Sequence, residues 1–170
     1  MRLLITYPWF YPAYKAGGPV QSVKNTATAM AGDGVDIYIL CSDKELDGTP
    51  IDVARDKWVD YDKGIKVYYN SQSRTKQEIS NIISAVQPDV IFINGIYSLP
   101  YTIYPLLYTG AARKILSVRG MLHPGALSQK SLKKKFSKMD IFQLNPLGFQ
   151  DVERIFKDVL GCSNFPEELH

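Results

Sequence analysis

A chain of 170 residues, 45% hydrophobic and 22% charged, has the composition of one ordinary soluble globular domain with a sizeable core. Its formal net charge of +3 is too small to imply a nucleic-acid partner. No apolar run approaches a membrane span and residues 1–8 lack the apolar core of a signal peptide, so a cytoplasmic location is expected. Cys41 and Cys162 have no metal-ligand spacing around them and read as reduced and packed.

Leu3-Leu4-Ile5 reads as a strand buried on both faces, as in a parallel sheet. An aromatic loop follows, and then Gly17-Gly18-Pro19 opens a helix. Pro19 suits a first helical turn, and Val20, Val23, Ala27 and Met30 make one apolar face until Gly32 and Gly34 stop it. A helix N-terminus behind two glycines presents unpaired N–H groups and partial positive charge beyond the strand's carboxyl end, where open parallel sheets bind ligands. The alternative is that the glycines only serve the path of a long loop. The pattern is not G-x-G-x-x-G, so a standard dinucleotide site is not signalled.

Residues 35–41 are a second strand rich in β-formers. Residues 42–63 read as a polar excursion. Its Asp52, Asp56, Asp60 and Asp62 are interspersed with Arg55, Lys57 and Lys63, which favours a solvated surface loop over a metal cluster. Residues 65–69 are a third strand. Thr75 and Glu78 then form a capping box ahead of Ile79, Ile82, Ile83 and Val86. Pro88 closes that helix, and the strand over 89–95 ends on Asn94-Gly95, at the same edge as the glycine pair; Asn94 there is either a turn cap or a ligand contact.

Ser98 can cap a short helix over 99–109, with Ile103, Leu106 and Leu107 inward and Tyr101, Tyr104 and Tyr108 on another face. The eleven tyrosines concentrate near residues 7–14 and 97–108, where rings either stack on sugars or bases or lie half-buried with a wet hydroxyl. Residues 114–118 form a fifth strand running into Arg119-Gly120. Arg119 is placed to bind an anion bidentately or to pair with a local carboxylate. Residues 127–138 carry five lysines around Leu132 and Phe136, a helix face that is either solvated or laid on an anionic membrane. Residues 139–144 can be a last strand and 150–159 a last helix. Strands alternating with helices predict an α/β fold with right-handed crossovers and a doubly wound parallel sheet.

Tyr7-Pro8-Trp9-Phe10-Tyr11-Pro12, Gly17-Gly18-Pro19, Pro88 through Gly95 and Ser117 through Leu127 come in the order found in bacterial GT-B glycosyltransferases of the family 4 type. The sequence resembles the N-terminal half of such an enzyme from residue 1 to about 136, and again at 150–156. The resemblance implies a Rossmann-like domain, one half of a GT-B two-domain fold, spanning 1–160. Residues 161–170 would begin the interdomain linker, with Leu169-His170 as the start of an appended tag, and the C-terminal donor-binding domain would be absent.

The resemblance further implies retaining transfer of a sugar from a nucleotide-diphosphate donor to a cell-surface glycan or lipid-linked acceptor, once the chain is joined to its C-terminal domain; alone it would be inactive. Gly17 and Gly18 would contact the donor diphosphate and Arg119 would stabilise its growing charge. Tyr14, Lys15, Asn94, Tyr97 and His123 would lie on the acceptor side. Many relatives carry histidines where this chain has Phe92 and Asn94, and His-Gly where it has Arg119-Gly120, so charge stabilisation replaces acid–base chemistry at Arg119. No cofactor and no metal are expected, since no Asp-x-Asp pair stands at a strand edge. The rival readings are a GT-B-fold nucleotide-sugar epimerase half and a non-catalytic flavodoxin-like module. Attachment to the inner membrane face is expected if residues 127–138 meet anionic lipid.

Overall fold

The computed structural model describes residues 1–32, 34–71, 75–96 and 98–118, together with the backbone of 141–144. Its elements are strand β1 (Arg2–Thr6), a single 3-10 turn (Tyr14–Ala16), helix α1 (Gly18–Met30), β2 (Asp36–Ser42), β3 (Trp58–Asp62), β4 (Ile65–Asn70) and helix α2 (Lys76–Val86). Then come β5 (Val90–Asn94), a π-type turn (Leu99–Ile103), α3 (Tyr104–Leu107), β6 (Arg113–Ser117) and β7 (Ile141–Leu144). Among the described residues the strands make one sheet in the order β3-β4-β2-β1-β5-β6-β7. The five strands from β4 to β6 are parallel neighbours, in the Rossmann-like order third, second, first, fourth, fifth. The expected doubly wound parallel sheet is present, and the two edge strands β3 and β7 run antiparallel to their neighbours. β3 returns to β4 through the short turn at Lys63-Gly64 and so needs no crossover helix.

Alternation along each strand divides the core into two layers. Leu3 and Ile5 of β1 pack with Ile37, Ile39 and Val67 against Val23 and Ala27 of α1. Leu4, Leu40, Ile91 and Ile93 face the other way, onto Ile79 and Ile83 of α2 and Leu106 of α3. Helices therefore cover both faces, and β1 is apolar at successive positions because both sides of it are buried. Each fully buried Ile or Leu contributes about 1.5–3 kcal/mol relative to exposure.

The helix ends follow the sequence signals. Pro19 stands in the first turn of α1, and beyond Met30 the chain turns at Gly32 (φ 106°) and Gly34 (φ 80°). The expected capping box of α2 is present: Thr75 Oγ1 accepts from Glu78 N–H at 3.2 Å, and the Glu78 carboxylate accepts from Thr75 N–H at 2.8 Å. Ser98 does accept from Tyr101 N–H at 3.2 Å, but the helix beyond it departs from the expected regular one. Thr102 N–H and Ile103 N–H both donate to the Ser98 carbonyl, at 2.9 and 3.2 Å, which widens the turn. Tyr101 and Tyr104, expected on a separate face, are instead buried in the same layer as Ile103 and Leu106.

The excursion over 42–63 is also corrected, because it contains β3. Val59 and Tyr61 pack toward the α1 layer and Trp58 toward the other, while Asp60 opposes Lys66 across the ladder with their charges 3.8 Å apart. The loop before it is no loose surface: Arg55 Nε meets the buried Asp43 carboxylate at 3.0 Å and its other nitrogen donates to the Ile51 carbonyl at 3.0 Å. Among the described residues no helix is long and apolar enough to cross a membrane. The expected helices over 127–138 and 150–159 lie outside the described residues, as does the expected domain boundary near 160.

Candidate functional site

The chain leaves β1 toward β2 through α1 on one face, and leaves β5 toward β6 through α3 on the other. β1 and β5 are neighbours, so their carboxyl ends form the topological switch point of the sheet. The loop over 7–17 lies on this edge. It is folded by its own aromatic side chains: Phe10 is fully buried with its ring 5.0 Å from that of Tyr61, and Tyr7 packs edge-on to Trp9 at 5.7 Å. Tyr11 is fixed from three sides, by its hydroxyl donating to Gln21 at 2.9 Å, by Lys24 over its ring at 4.2 Å and by the Tyr14 ring at 5.0 Å. The loop tyrosines thus serve mainly to shape the loop. Tyr14 is the exception, 63% exposed at the rim.

The loop delivers Gly17 as the N-cap of α1 with φ 69° and ψ −140°, a conformation that only glycine adopts readily. Gly17 N–H donates to the Tyr14 carbonyl at 3.0 Å, and its own carbonyl accepts from Val20 N–H at 3.1 Å. Gly18 is regular helix, and the missing β-carbon removes the clash that a proline imposes on a helical residue before it. No side chain caps this end and the first turn holds no acidic residue. Among the described residues Gly18 N–H has no acceptor, and a β-carbon built on either glycine would meet nothing within 4 Å. The end of α1 therefore offers a donor and a partial positive charge to open space.

Lys15 does not stand free beside it. Its ammonium meets Asp47 at 2.7 Å, which pushes the Lys15 pKa up and holds the Asp47 carboxyl well below the usual carboxylate range, with Thr49 also bonding that carboxylate. Glu45, on the same loop, takes the N–H of Tyr14 on one carboxylate oxygen at 2.9 Å and that of Lys15 on the other at 3.0 Å. Glu45 was not foreseen as part of this edge.

Across the switch point the other wall is closed by hydroxyls. Thr6 donates to the Tyr101 carbonyl at 2.8 Å, Thr102 to the Gly95 carbonyl at 3.2 Å, and Gly95 N–H to the Ser117 carbonyl at 2.8 Å. Asn94 is at the carboxyl end of β5 as expected, but its side chain is fully buried and its amide donates to the Phe92 carbonyl at 3.3 Å. The structure thus brings Tyr14, Lys15, Gly17 and Gly18 together on one rim, with Asn94 packed beneath the edge. Tyr97, Arg119 and His123 lie outside the described residues.

Asp60-Tyr61-Asp62 is an Asp-x-Asp spacing on a strand, contrary to expectation. Because β3 is antiparallel, Asp62 sits at the amino edge of the sheet beside Ile65, opposite the glycine pair. A groove of about 470 Å³ lies at that same edge, lined by Thr28, Gly32, Asp36, Asp62 and Gly64 among others. It is on the wrong side of a parallel sheet for the switch-point site. Among the described residues no group of three His, Cys, Asp or Glu side chains is arranged to hold a metal ion.

No family model matches this chain, and no curated protein matches it significantly.

Proposed function

We propose that this chain is the acceptor-side domain of a retaining GT-B glycosyltransferase that moves a sugar from a nucleotide-diphosphate donor to a glycan or lipid-linked acceptor on the cytoplasmic side of a membrane. The observation that supports this most is the uncapped N-terminus of α1 at the topological switch point, with open space over Gly17 and Gly18 and no acceptor for Gly18 N–H. In such a transfer the leaving diphosphate gains negative charge at the transition state, and a fixed donor aimed at it stabilises that state without reorganisation. The resemblance of the Gly17-Gly18-Pro19 and Arg119-Gly120 segments to the family 4 type adds Arg119 as the second donor. The exposed Tyr14 ring and Lys15 beside it are suited to an acceptor sugar and its polar substituents.

The test is product analysis with the full-length protein and a panel of nucleotide sugars. Glycosylated acceptor with retained anomeric configuration supports the reading. An epimerised nucleotide sugar with no transfer would replace it by the epimerase, which uses the same diphosphate contacts. A chain that neither transfers nor epimerises with any donor would return it to the class of flavodoxin-like binding modules.

A further inference from the structure

We propose that Glu45 is the positioning residue of the glycine turn, fixing Gly17 and Gly18 in the geometry that receives an anion; this rests on the diphosphate reading of that site. The single 3-10 turn Tyr14–Ala16 begins with N–H groups that have no partner inside it, and Ala13 before it supplies no side-chain cap. Both leading donors are taken by one carboxylate, at 2.9 Å from Tyr14 and 3.0 Å from Lys15. The turn then closes on Gly17 N–H through the Tyr14 carbonyl at 3.0 Å. One residue separates the atoms that Glu45 holds from the strained glycine.

Glu45 is itself held. Its N–H donates to the Thr49 carbonyl at 2.8 Å and its carbonyl accepts from Gly48 N–H at 3.0 Å, a tight turn that needs Gly48 at φ 85°. Asp47 caps the same turn from inside, accepting from Thr49 N–H at 3.1 Å, and reaches out to Lys15 at 2.7 Å. The loop after β2 is therefore a preformed bracket for the loop after β1. Only a carboxylate fits it, because two acceptor oxygens meet two donors. A carboxamide offers one acceptor and turns a donor against the second N–H.

Charge and position act in opposite directions here, which makes the proposal testable. By charge alone, Glu45→Gln removes a negative group near an anion and tightens binding; by position it frees the turn and weakens binding. In the full chain, isotope-labelled and titrated with inorganic pyrophosphate, Glu45→Gln and Glu45→Ala should speed amide exchange at Gly17 and raise the pyrophosphate dissociation constant about tenfold, as expected when the competent turn falls to a tenth of the population. Both variants should keep a cooperative unfolding transition, and Asp47→Asn, which removes a charge but neither bond to Glu45, should tighten binding. Unchanged or tighter binding in Glu45→Gln with unchanged Gly17 exchange would overturn the proposal. If pyrophosphate moves neither glycine signal in the parent chain, the diphosphate reading fails, and Gly17 exchange alone then decides whether Glu45 sets the turn.

Discussion

Tyr69, near the carboxyl end of β4, donates its phenolic hydrogen to the backbone carbonyl of Tyr11, the aromatic pivot of the loop over 7–17. The geometry of the candidate site thus depends on a proton that high pH can remove. Burial pushes the Tyr69 pKa well up, with the neighbouring Cys41 adding to it, and burial likewise raises the Cys41 thiol and the phenols of Tyr61 and Tyr68. A group whose folded pKa is raised gives stability that is whole below its unfolded value and is lost as pH climbs toward the folded one.

The first prediction is an alkaline loss of stability that begins near pH 9, roughly the unfolded value of the Cys41 thiol, and steepens from about pH 10 as the tyrosines follow. Lys114 opposes it: burial lowers its pKa, so the unfolded chain binds the extra proton and stability rises with pH across that interval. Among the described residues five raised groups, the exposed Lys15 being the fifth, against one lowered group leave the net slope downward. Urea midpoints measured from pH 8 to 11 check this. Tyr69→Phe should flatten the slope while costing about 1 kcal/mol at neutral pH for the lost hydrogen bond. A midpoint flat to pH 11 in the parent would defeat the prediction.

Gly17→Ala should destabilise by roughly 1–3 kcal/mol, the range for a residue forced into sparsely populated backbone space. The cost is purely conformational, since the added methyl meets nothing within 4 Å. Gly18→Ala also meets nothing there and keeps helical φ, so it should cost less, the residual coming from the proline that follows. Denaturation of the two variants side by side checks the order, and equal costs would mean that the turn at Gly17 is not strained.

Arg55→Ala should cost roughly 1.5–3 kcal/mol, the range for a hydrogen bond to a charged group, although Arg55 itself is half exposed. Asp43 is 5% exposed at its side chain, and losing the guanidinium removes its ionic partner while the loop over 43–55 loses the bond to the Ile51 carbonyl. A loss below 0.5 kcal/mol in urea denaturation, the size of about an exposed pair, would show that the bridge is a surface one.

Much of the fold was legible because local signals and burial agree. β1 is a short apolar run buried on both faces, β5 one buried on one face and partly on the other, and Thr75 with Glu78 is a capping box that the structure reproduces bond for bond. β3 was hidden because Asp60 and Asp62 interrupt its apolar residues, as charges do on an edge strand that must not pair further. The glycine pair was legible as a helix start, but its bracket was not. Asp47-Gly48 signals a turn, yet nothing local says that Glu45 beside it reaches Tyr14, 31 residues back in the chain. Asn94 was legible as a strand end, whereas its complete burial was not.

The last prediction concerns the donor affinity of residues 1–170 by themselves. The glycine turn presents Gly18 N–H to solvent with open space above it, and in such surroundings an ion interacts with a neighbouring charge by only about 1 kcal/mol at 4 Å, less with salt present. Lys15, two residues before Gly17, is already committed to Asp47 at 2.7 Å, so recruiting it means giving up that pair. A dissociation constant of 1 mM needs about 4 kcal/mol, which the diphosphate contacts alone reach only with difficulty. Nucleotide sugars should therefore bind this chain at millimolar concentration or weaker, and the base and ribose should add little. Calorimetry across a panel of nucleotide sugars, with inorganic pyrophosphate as the reference, measures this directly. Micromolar binding to one of them, with pyrophosphate still weak, would mean that this domain holds the base and sugar as well as the diphosphate, and the division of labour proposed above would have to be reversed.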